Sequence, residues 1–315
     1  MTPKVLSALM AAVLCTACGH EVASTAGPTP PGALLPDCAA LSRGVLPDTV
    51  IGAARPVGAG TERAGDLPLP AHCVVTAEIG ARIGVGGVRY ATRLELRLPQ
   101  TWNGRFQFMG GGGTDGSVRP ALGFAANGSR PALVEGYAVV SSDFGHQASD
   151  PRDASFGLDP QARLDWGYRS LGQVTSAAKA LIQAYYGRAP AYSYYAGCSG
   201  GGRQAMMAAL RYADQFDGIV AGAPILEQHV AQTGSMQMLQ EFTRIAPRGA
   251  DGKPVLSRAF SDHDLGLLQR DVLAQCDALD GLTDGSIDHL AACRYDPARL
   301  QCSGAKTDAC LAPAQ

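Results

Sequence analysis

The stretch that decides the fold is residues 192–224, YSYYAGCSGGGRQAMMAALRYADQFDGIVAGAP. At its centre, the pentapeptide GCSGG at residues 197–201 fits the G-x-S-x-G pattern of a nucleophile elbow, in which a serine occupies a strained turn between a strand and a helix. Glycines permit so tight a turn, and the first N–H groups of the helix would face a developing oxyanion. The sequence therefore predicts Ser199 as a candidate nucleophile and Gly200 as a candidate oxyanion donor.

The residues around the elbow predict alternating strands and helices. Aromatic residues 192–196 predict a strand before the serine, and the apolar run 219–224 predicts the next buried strand. A helical pattern at residues 171–185 ends at Gly187. A helix is predicted after the elbow from apolar residues that recur at 3-, 4- and 7-residue spacing, namely Met206, Ala209, Leu210, Ala213 and Phe216. This order indicates right-handed parallel crossovers and an α/β fold class.

Upstream, a predicted strand at residues 105–109 runs directly into the loop GGGGTDG at residues 110–116. In hydrolases with an elbow, such a loop supplies the second N–H of the oxyanion hole, so Gly111 and Gly112 are candidate donors. The alternative is a flexible or phosphate-binding loop, but the lysine of a P-loop does not follow.

Two further strands are predicted at residues 90–99 and 137–142. The second ends at Asp143 and His146, at the carboxyl end of a strand, where functional groups of open α/β sheets gather. A single histidine at such a position is more often structural than catalytic.

Composition describes a folded protein: of 315 residues, 46% are hydrophobic and 17% charged, with a net charge of −2. This charge gives no reason to expect nucleic acid or an anionic membrane surface as a partner. No second long apolar segment predicts a membrane span.

The N-terminus predicts export to the periplasm or the extracellular space. Residues 1–26 have the layout of a secretory signal, with Lys4 before an apolar run, and a Pro/Gly-rich linker follows at residues 27–36. Two endings remain open: cleavage near Ala26, which we favour slightly, or lipidation of Cys18 as in a lipoprotein signal.

Nine cysteines suit an oxidising compartment. Without Cys15 and Cys18 in the signal segment, seven remain, and an odd number leaves one cysteine without a partner in the chain. The seven are Cys38, Cys73, Cys198, Cys276, Cys293, Cys302 and Cys310.

An acidic loop at residues 277–288 follows a helix that a capping box, Ser261 with Asp264, is predicted to open. Glycines at positions 281 and 285 let the loop curl, so that hard oxygen ligands of the kind Ca²⁺ prefers can converge. The spacing differs from that of an EF-hand, and a solvated acidic turn is the alternative. The candidate ligands are the carboxylates of Asp277, Asp280 and Asp284 and the carbonyls of Leu282 and Ser286.

Five motifs in this order resemble the tannase/feruloyl esterase family, over roughly residues 38–310. They are GGGGTDG (110–116), GYAVVSSDFGH (136–146), GCSGGGRQAMM (197–207), FDGIVAGAP (216–224) and CDALDGLTDG (276–285). The resemblance implies an α/β-hydrolase fold with an inserted lid domain. It also implies a secreted serine esterase that hydrolyses esters of aromatic acids, here tannate- or ferulate-like, through an acyl-enzyme.

Position by position, the resemblance implies that Ser199 is the nucleophile, that Gly200 and the glycine loop form the oxyanion hole, and that the acidic loop holds a structural Ca²⁺. The core would cover residues 37–225, and the lid would begin within residues 226–315. The implied disulfides are Cys38–Cys73, Cys276–Cys293 and Cys302–Cys310. They leave Cys198 unpaired; in the family its partner directly follows the catalytic histidine.

The family's catalytic aspartate and histidine lie C-terminal to the lid and have no counterpart here, so we expect a C-terminally truncated chain. A local base, His229, His263 or His289 with an aspartate of the acidic loop, is disfavoured because those aspartates are better explained as calcium ligands. Two other classes remain as alternatives: a catalytically inactive exported binding protein of the same fold, and a secreted serine peptidase. The sequence indicates no oligomeric state.

Overall fold

The computed structural model describes residues 37–44, 46–124, 130–150 and 153–315. The predicted signal segment, with its cleavage near Ala26 or its lipid anchor at Cys18, lies outside these residues. The chain divides into two compact units, the first ending at Leu226 and the second running from Glu227 to Gln315. Within the described ranges, no helix has the length and apolar character needed to cross a bilayer.

A seven-stranded mixed sheet forms the centre of the first unit, in the spatial order β1-β4-β5-β7-β6-β8-β9. The strands are β1 (Thr49–Val57), β2 (Arg63–Ala64), β3 (Leu67–Pro68), β4 (His72–Ile83), β5 (Arg89–Pro99), β6 (Arg105–Met109), β7 (Ala138–Ser142), β8 (Tyr192–Cys198) and β9 (Gly218–Gly222). The short strands β2 and β3 pair only with each other. In this spatial order, the pairs β1–β4, β4–β5 and β5–β7 are antiparallel, and the pairs β7–β6, β6–β8 and β8–β9 are parallel.

Five α-helices accompany the strands. They are α1 (Pro160–Leu164), α2 (Ser170–Tyr186), α3 (Gly200–Arg211), α4 (Gln228–Ile245) and α5 (Asp262–Cys276). A π-type turn, Asp165–Arg169, joins α1 to α2. Short 3₁₀ turns lie at Cys38–Arg43, Val85–Gly87, Ser155–Leu158, Ala213–Gln215, Leu256–Arg258, Asp277–Asp280 and Pro297–Leu300.

The strands predicted at residues 90–99, 105–109, 137–142 and 192–196 are all present. In the parallel half of the sheet, helices and loops cover both faces, so β7 is buried along its whole length and β6 is buried after Arg105, without alternation. Phe106, Phe108, Val140 and Tyr195 are completely buried there. Each such side chain contributes about 1.5–3 kcal/mol by its removal from water.

Helix α2 forms as its apolar spacing predicts, because one face packs on the sheet. Gly187, with a φ of 72°, ends it by donating its N–H to the carbonyl of Gln183. The residues of the predicted face are all buried, namely Leu171, Val174, Ala178, Leu181, Ile182 and Tyr185.

The helix predicted after the elbow is confirmed as α3, but the apolar residues whose spacing predicted it do not form its buried face. Met206 is 39% exposed and Leu210 is 72% exposed, whereas Ala205 and Ala208 are completely buried. The helix also ends at Arg211, before Ala213 and Phe216. Glycines in its first turn bring the helix close to neighbouring backbone, so only small residues fit between helix and sheet, and larger ones project outward.

The prediction that residues 219–224 form a buried strand is only partly correct. Strand β9 forms and pairs in parallel with β8, but among the described residues it is the edge of the sheet. Val220 is 64% exposed as a result. The apolar character of β9 is typical of a strand that is covered on both faces. The described residues do not supply that cover.

The second unit contains α4, α5 and the acidic loop. The predicted capping box opens α5: the hydroxyl of Ser261 accepts the Asp264 N–H at 3.2 Å, and the carboxylate of Asp264 accepts the Ser261 N–H at 3.0 Å. The implied disulfides are confirmed, with Cys276–Cys293 and Cys302–Cys310 in this unit and Cys38–Cys73 in the first.

Candidate active site

Ser199 occupies the turn between β8 and α3 with a φ of 59° and a ψ of −118°, a backbone conformation that is strained for a serine. Backbone hydrogen bonds hold the turn from two sides. The Ser199 N–H donates to the carbonyl of Gly222 on β9, and the Ser199 carbonyl accepts the N–H of Arg203 on α3, both at 3.0 Å. The residue is half-buried, so its side chain is partly open to solvent. The geometry is that of a nucleophile elbow.

The glycine loop, residues 110–113, packs directly on the first turn of α3. A Cβ on Gly201 would lie 2.7 Å from the carbonyl oxygen of Gly111, and a Cβ on Gly200 would lie 2.7 Å from that of Gly113. Real Cβ atoms essentially never approach that closely. Two backbones can therefore meet here only because neither carries a side chain.

The N–H groups of the glycine loop have different partners. Gly110 donates to the carbonyl of Ala196 at 2.8 Å, which extends the pairing of β6 with β8. Gly111 donates to Oε1 of Gln204 at 3.0 Å. The Gly112 N–H has no hydrogen-bond acceptor among the described residues. Since Gly200 begins α3, its N–H has no acceptor within the helix either. The Gly112 and Gly200 amides are thus open donors on neighbouring segments.

Gln204, Asp115 and Tyr195 form a buried polar network beneath the glycine loop. Oε1 of Gln204 accepts both the Gly111 N–H and the Tyr195 hydroxyl at 3.0 Å, while its Nε2 donates to Asp115 at 2.6 Å. Burial raises the pKa of the Asp115 carboxyl to about 7. Sequence reasoning assigned none of the three a role, although Gln204 is a polar residue one turn after the elbow, on the side of α3 that faces the sheet.

Asp143 and His146, at the end of β7, have structural contacts. The Asp143 carboxylate accepts the N–H groups of Arg93 and Gly145 and the amide of Gln147, which ties β7 to β5. Burial raises its pKa to about 6. The His146 ring stacks on Phe156 at 3.9 Å, and burial lowers its pKa to about 4, so the ring is neutral at physiological pH.

The Ser199 hydroxyl makes no hydrogen bond to any residue that the structure describes. The three histidines considered as local bases, His229, His263 and His289, all belong to the second unit, and His263 hydrogen-bonds the carbonyl of Asp308. Cys198, beside the serine, is a free and exposed thiol. The described residues therefore bring the candidate nucleophile and two candidate oxyanion donors to adjoining segments, with no base bound to the serine among them.

The acidic loop curls as expected, with φ values of 97° at Gly281 and 83° at Gly285. Its carboxylates accept backbone N–H groups: Asp277 from Gly285 at 3.1 Å, and Asp280 from Leu282 and Asp288, both at 3.0 Å. These bonds lower the pKa of Asp280. Asp284 accepts the N–H of Ser286 in the same manner. In the described ranges, no three acidic, histidine or cysteine side chains are grouped closely enough to hold a metal ion.

The mixed sheet, the strained serine turn and the glycine loop define the α/β-hydrolase fold class. A family model described as "Tannase and feruloyl esterase" matches residues 78–315, and the chain belongs to this family.

Among its relatives, the mono(2-hydroxyethyl) terephthalate hydrolase of Piscinibacter sakaiensis is 44% identical over 266 residues, which cover 78% of this chain and 44% of that protein. The probable feruloyl esterase B-2 of Aspergillus flavus is 33% identical over 234 residues, covering 72% of this chain and 40% of that protein. A crystal structure of an esterase from Aspergillus oryzae matches with 26% identity and a TM-score of 0.68, over 88% of this chain and 53% of the other. The chain thus spans about half the length of these relatives.

The backbone contact between α3 and the glycine loop leads to a stability prediction. Gly201→Ala should destabilise the chain by about 1–3 kcal/mol, since the added methyl meets backbone atoms that cannot rotate away. This exceeds the roughly 1 kcal/mol that alanine ordinarily gains over glycine within a helix. Thermal unfolding followed by circular dichroism measures the change.

Gly157→Ala is the matched control, because nothing lies within 4 Å of a Cβ at that position and its φ is not positive. It should unfold close to the wild-type temperature. Equal unfolding temperatures for Gly201→Ala and wild type would contradict the close backbone approach.

Proposed function

We propose that this chain carries the nucleophile and the oxyanion hole of a secreted serine esterase. The observation that carries the proposal is the strained turn at Ser199, with the Gly200 amide next in the chain and the glycine loop packed against it; neither the Gly112 nor the Gly200 N–H has an acceptor among the described residues. In the reaction, Oγ of Ser199 attacks the ester carbonyl carbon as its proton passes to a base. The two N–H groups stabilise the negative charge on the carbonyl oxygen, the alcohol leaves, and water then releases the acid from the acyl-enzyme.

The base and the carboxylate that orients it are proposed to come from sequence beyond the 315 residues. Two observations support this: the Ser199 hydroxyl has no partner among the described residues, and the relatives are about twice as long. A cysteine that directly follows the distal histidine would then form a disulfide with the free thiol of Cys198, which lies beside the nucleophile. Such a disulfide would hold the base close to the serine.

Esters of aromatic acids are the proposed substrates. A relative that is 44% identical is named for a terephthalate ester, and one that is 33% identical is named for feruloyl esters. Both acids present a planar aromatic ring that is conjugated with the scissile carbonyl, directly in terephthalate and through a carbon–carbon double bond in ferulate. The second unit, residues 227–315, is proposed to be the start of a lid domain, as the family resemblance implies.

Activity measurements test the proposal in two steps. The purified 315-residue chain should hydrolyse p-nitrophenyl esters no faster than its Ser199→Ala variant, and a fluorophosphonate should not label it, because a serine without a base is a weak nucleophile. Strong labelling of Ser199 in this chain would contradict the distal base and favour His229, His263 or His289.

The second step continues the reading frame past Gln315 in the source DNA, where an aspartate and a His-Cys pair are expected. That protein should hydrolyse methyl ferulate or a terephthalate monoester, and Ser199→Ala should lower kcat by at least about 10⁴-fold. Ser303→Ala, an exposed serine, is the control and should keep full activity. Aromatic-ester binding without turnover would favour the inactive binding protein, and cleavage of casein but not of esters would favour a peptidase.

A structural Ca²⁺ in the acidic loop is proposed as well. The donor chemistry fits the ion: Asp277, Asp280 and Asp284 offer hard oxygens, and none of them pairs with a lysine or arginine among the described residues. Binding would require the three carboxylates to move closer together than they lie in the structure and to give up some of their present N–H contacts. The carbonyls of Leu282 and Ser286 would complete the set. The ion would stiffen the loop between Cys276 and Cys293 and take no part in the chemistry.

Chelation tests this site. EDTA should lower the unfolding temperature of the calcium-loaded chain, since an ion at 100 times its Kd stabilises the folded state by about 2.7 kcal/mol. Asp280→Asn should unfold at a lower temperature and lose its response to EDTA. Asp251→Asn, an exposed aspartate of the same unit, should respond like wild type. Identical melting curves with and without chelator would count against the ion.

Export is proposed from the predicted signal and the three disulfides, which form in oxidising compartments. Mass spectrometry of the secreted N-terminus distinguishes cleavage near Ala26 from lipidation at Cys18.

A further inference from the structure

The amide of Gln204 is held in one orientation by three buried partners. Its oxygen accepts two hydrogen bonds, from the Gly111 N–H and the Tyr195 hydroxyl, and its nitrogen donates to Asp115. Gln204 is 1% exposed and Tyr195 is completely buried, so water does not compete for these bonds. A flipped amide would place its NH₂ group against the Gly111 N–H and its oxygen against the Asp115 carboxylate, leaving donors and acceptors unmatched.

Asp115 supplies the one acceptor that decides this orientation. It is 5% exposed, has a φ of 66°, and one of its carboxylate oxygens has no hydrogen-bond partner among the described residues. Its N–H donates to the carbonyl of Gly112 at 3.1 Å, so Asp115 also closes the turn formed by the glycine loop. A carboxyl in so dry a position is costly for the fold, which points to a role in the site.

The charged and titratable groups around Asp115 come from several elements. Arg203 on α3 and Arg119 favour its charged form, whereas Asp143 at the end of β7 opposes it. Arg203 is itself buried over the Trp166 ring, 3.7 Å from its centre, and it makes no ion pair with Asp115. Tyr195 on β8 stays neutral, because burial raises the pKa of its hydroxyl well above the ordinary value.

We propose that Gln204 and Asp115 are positioning residues for the oxyanion hole. Asp115 fixes the Gln204 amide so that it binds the Gly111 N–H, which anchors the glycine loop to α3 and leaves the next amide, that of Gly112, free for the substrate oxygen. The link to catalysis rests on the proposed function, but the anchoring itself is a property of the chain that can be measured without a substrate.

Introducing a negative charge at position 204 tests the anchoring in the purified 315-residue chain. Gln204→Glu keeps the shape of the side chain and sets a second carboxylate against Asp115, at a position where the heavy atoms are now 2.6 Å apart. Its unfolding temperature should fall by several degrees at pH 8 and recover toward wild type near pH 5.5, where the two carboxylates share a proton. The double variant D115N/Q204E restores one donor and one acceptor, and it should recover stability at pH 8.

Asp115→Asn alone gives a second signature. Because the folded pKa of Asp115 is about 7, above its unfolded value, wild type loses this residue's contribution as the pH rises through 7. The variant should lack that part of the pH dependence. Gln183→Glu, on the exposed surface of α2, is the control and should follow the wild-type profile.

Hydrogen exchange by mass spectrometry separates positioning from general stabilisation. In Gln204→Glu at pH 8, exchange corrected for its intrinsic rate should quicken at least 10-fold in peptides that contain residues 110–116, and much less in peptides from β4 and β5. The double variant should reverse the effect. Equal exchange across the chain, or no recovery in the double variant, overturns the proposal. Neither readout uses ester chemistry, so an unreactive Ser199 would leave the anchoring intact.

Discussion

The contact on which the candidate site depends is the approach of two backbones that lack side chains. Gly200 and Gly201 at the start of α3 lie so close to the carbonyls of Gly113 and Gly111 that a methyl group on either would overlap them. This contact holds the glycine loop beside the strained turn at Ser199, and the N–H of that serine binds β9. The elbow, the loop and the last strand therefore support one another, and the strain at Ser199 is stabilised by the surrounding packing.

A second constraint is the burial of the polar side chains beneath the loop. A buried neutral amide with matched partners is stable, whereas the burial of a charged carboxylate costs desolvation free energy. The same burial raises the pKa of Asp115. Asp115, which has an unpartnered carboxylate oxygen among the described residues, and the strained Ser199 both adjoin the glycine loop. In the antiparallel half of the sheet, Leu94 and Leu96 are buried on β5, and the buried Arg97 is paired with Glu62 and Glu95. The strained backbone of Ser199 and the desolvated carboxyl of Asp115 thus lie where the chemistry is proposed.

The pattern of the sequence predicted the elements well where a side-chain face meets the core. Alternation located β5, the apolar start of residues 137–142 located β7, and helical spacing with a closing glycine located α2. It failed at α3 because apolar spacing assumes that the largest residues are buried. There the glycines bring the helix so near to the sheet that Ala205 and Ala208 fill the space, and Met206 faces solvent. The periodicity of apolar residues does not indicate how closely a helix approaches a sheet.

By itself, the sequence determined which residue is the candidate nucleophile, where the glycine loop lies, the presence of a capping box, and, through family resemblance, the disulfide pairs. Each depends on a local motif or on residues whose chemistry is independent of their surroundings. Only the tertiary structure decided that the Gly111 N–H is already bound, that Gly112 is the open donor, and that Gln204 and Asp115 lie beneath the loop. These facts join residues about 90 positions apart, and hydrogen-bond partners at that separation are set by how α3 docks on the sheet.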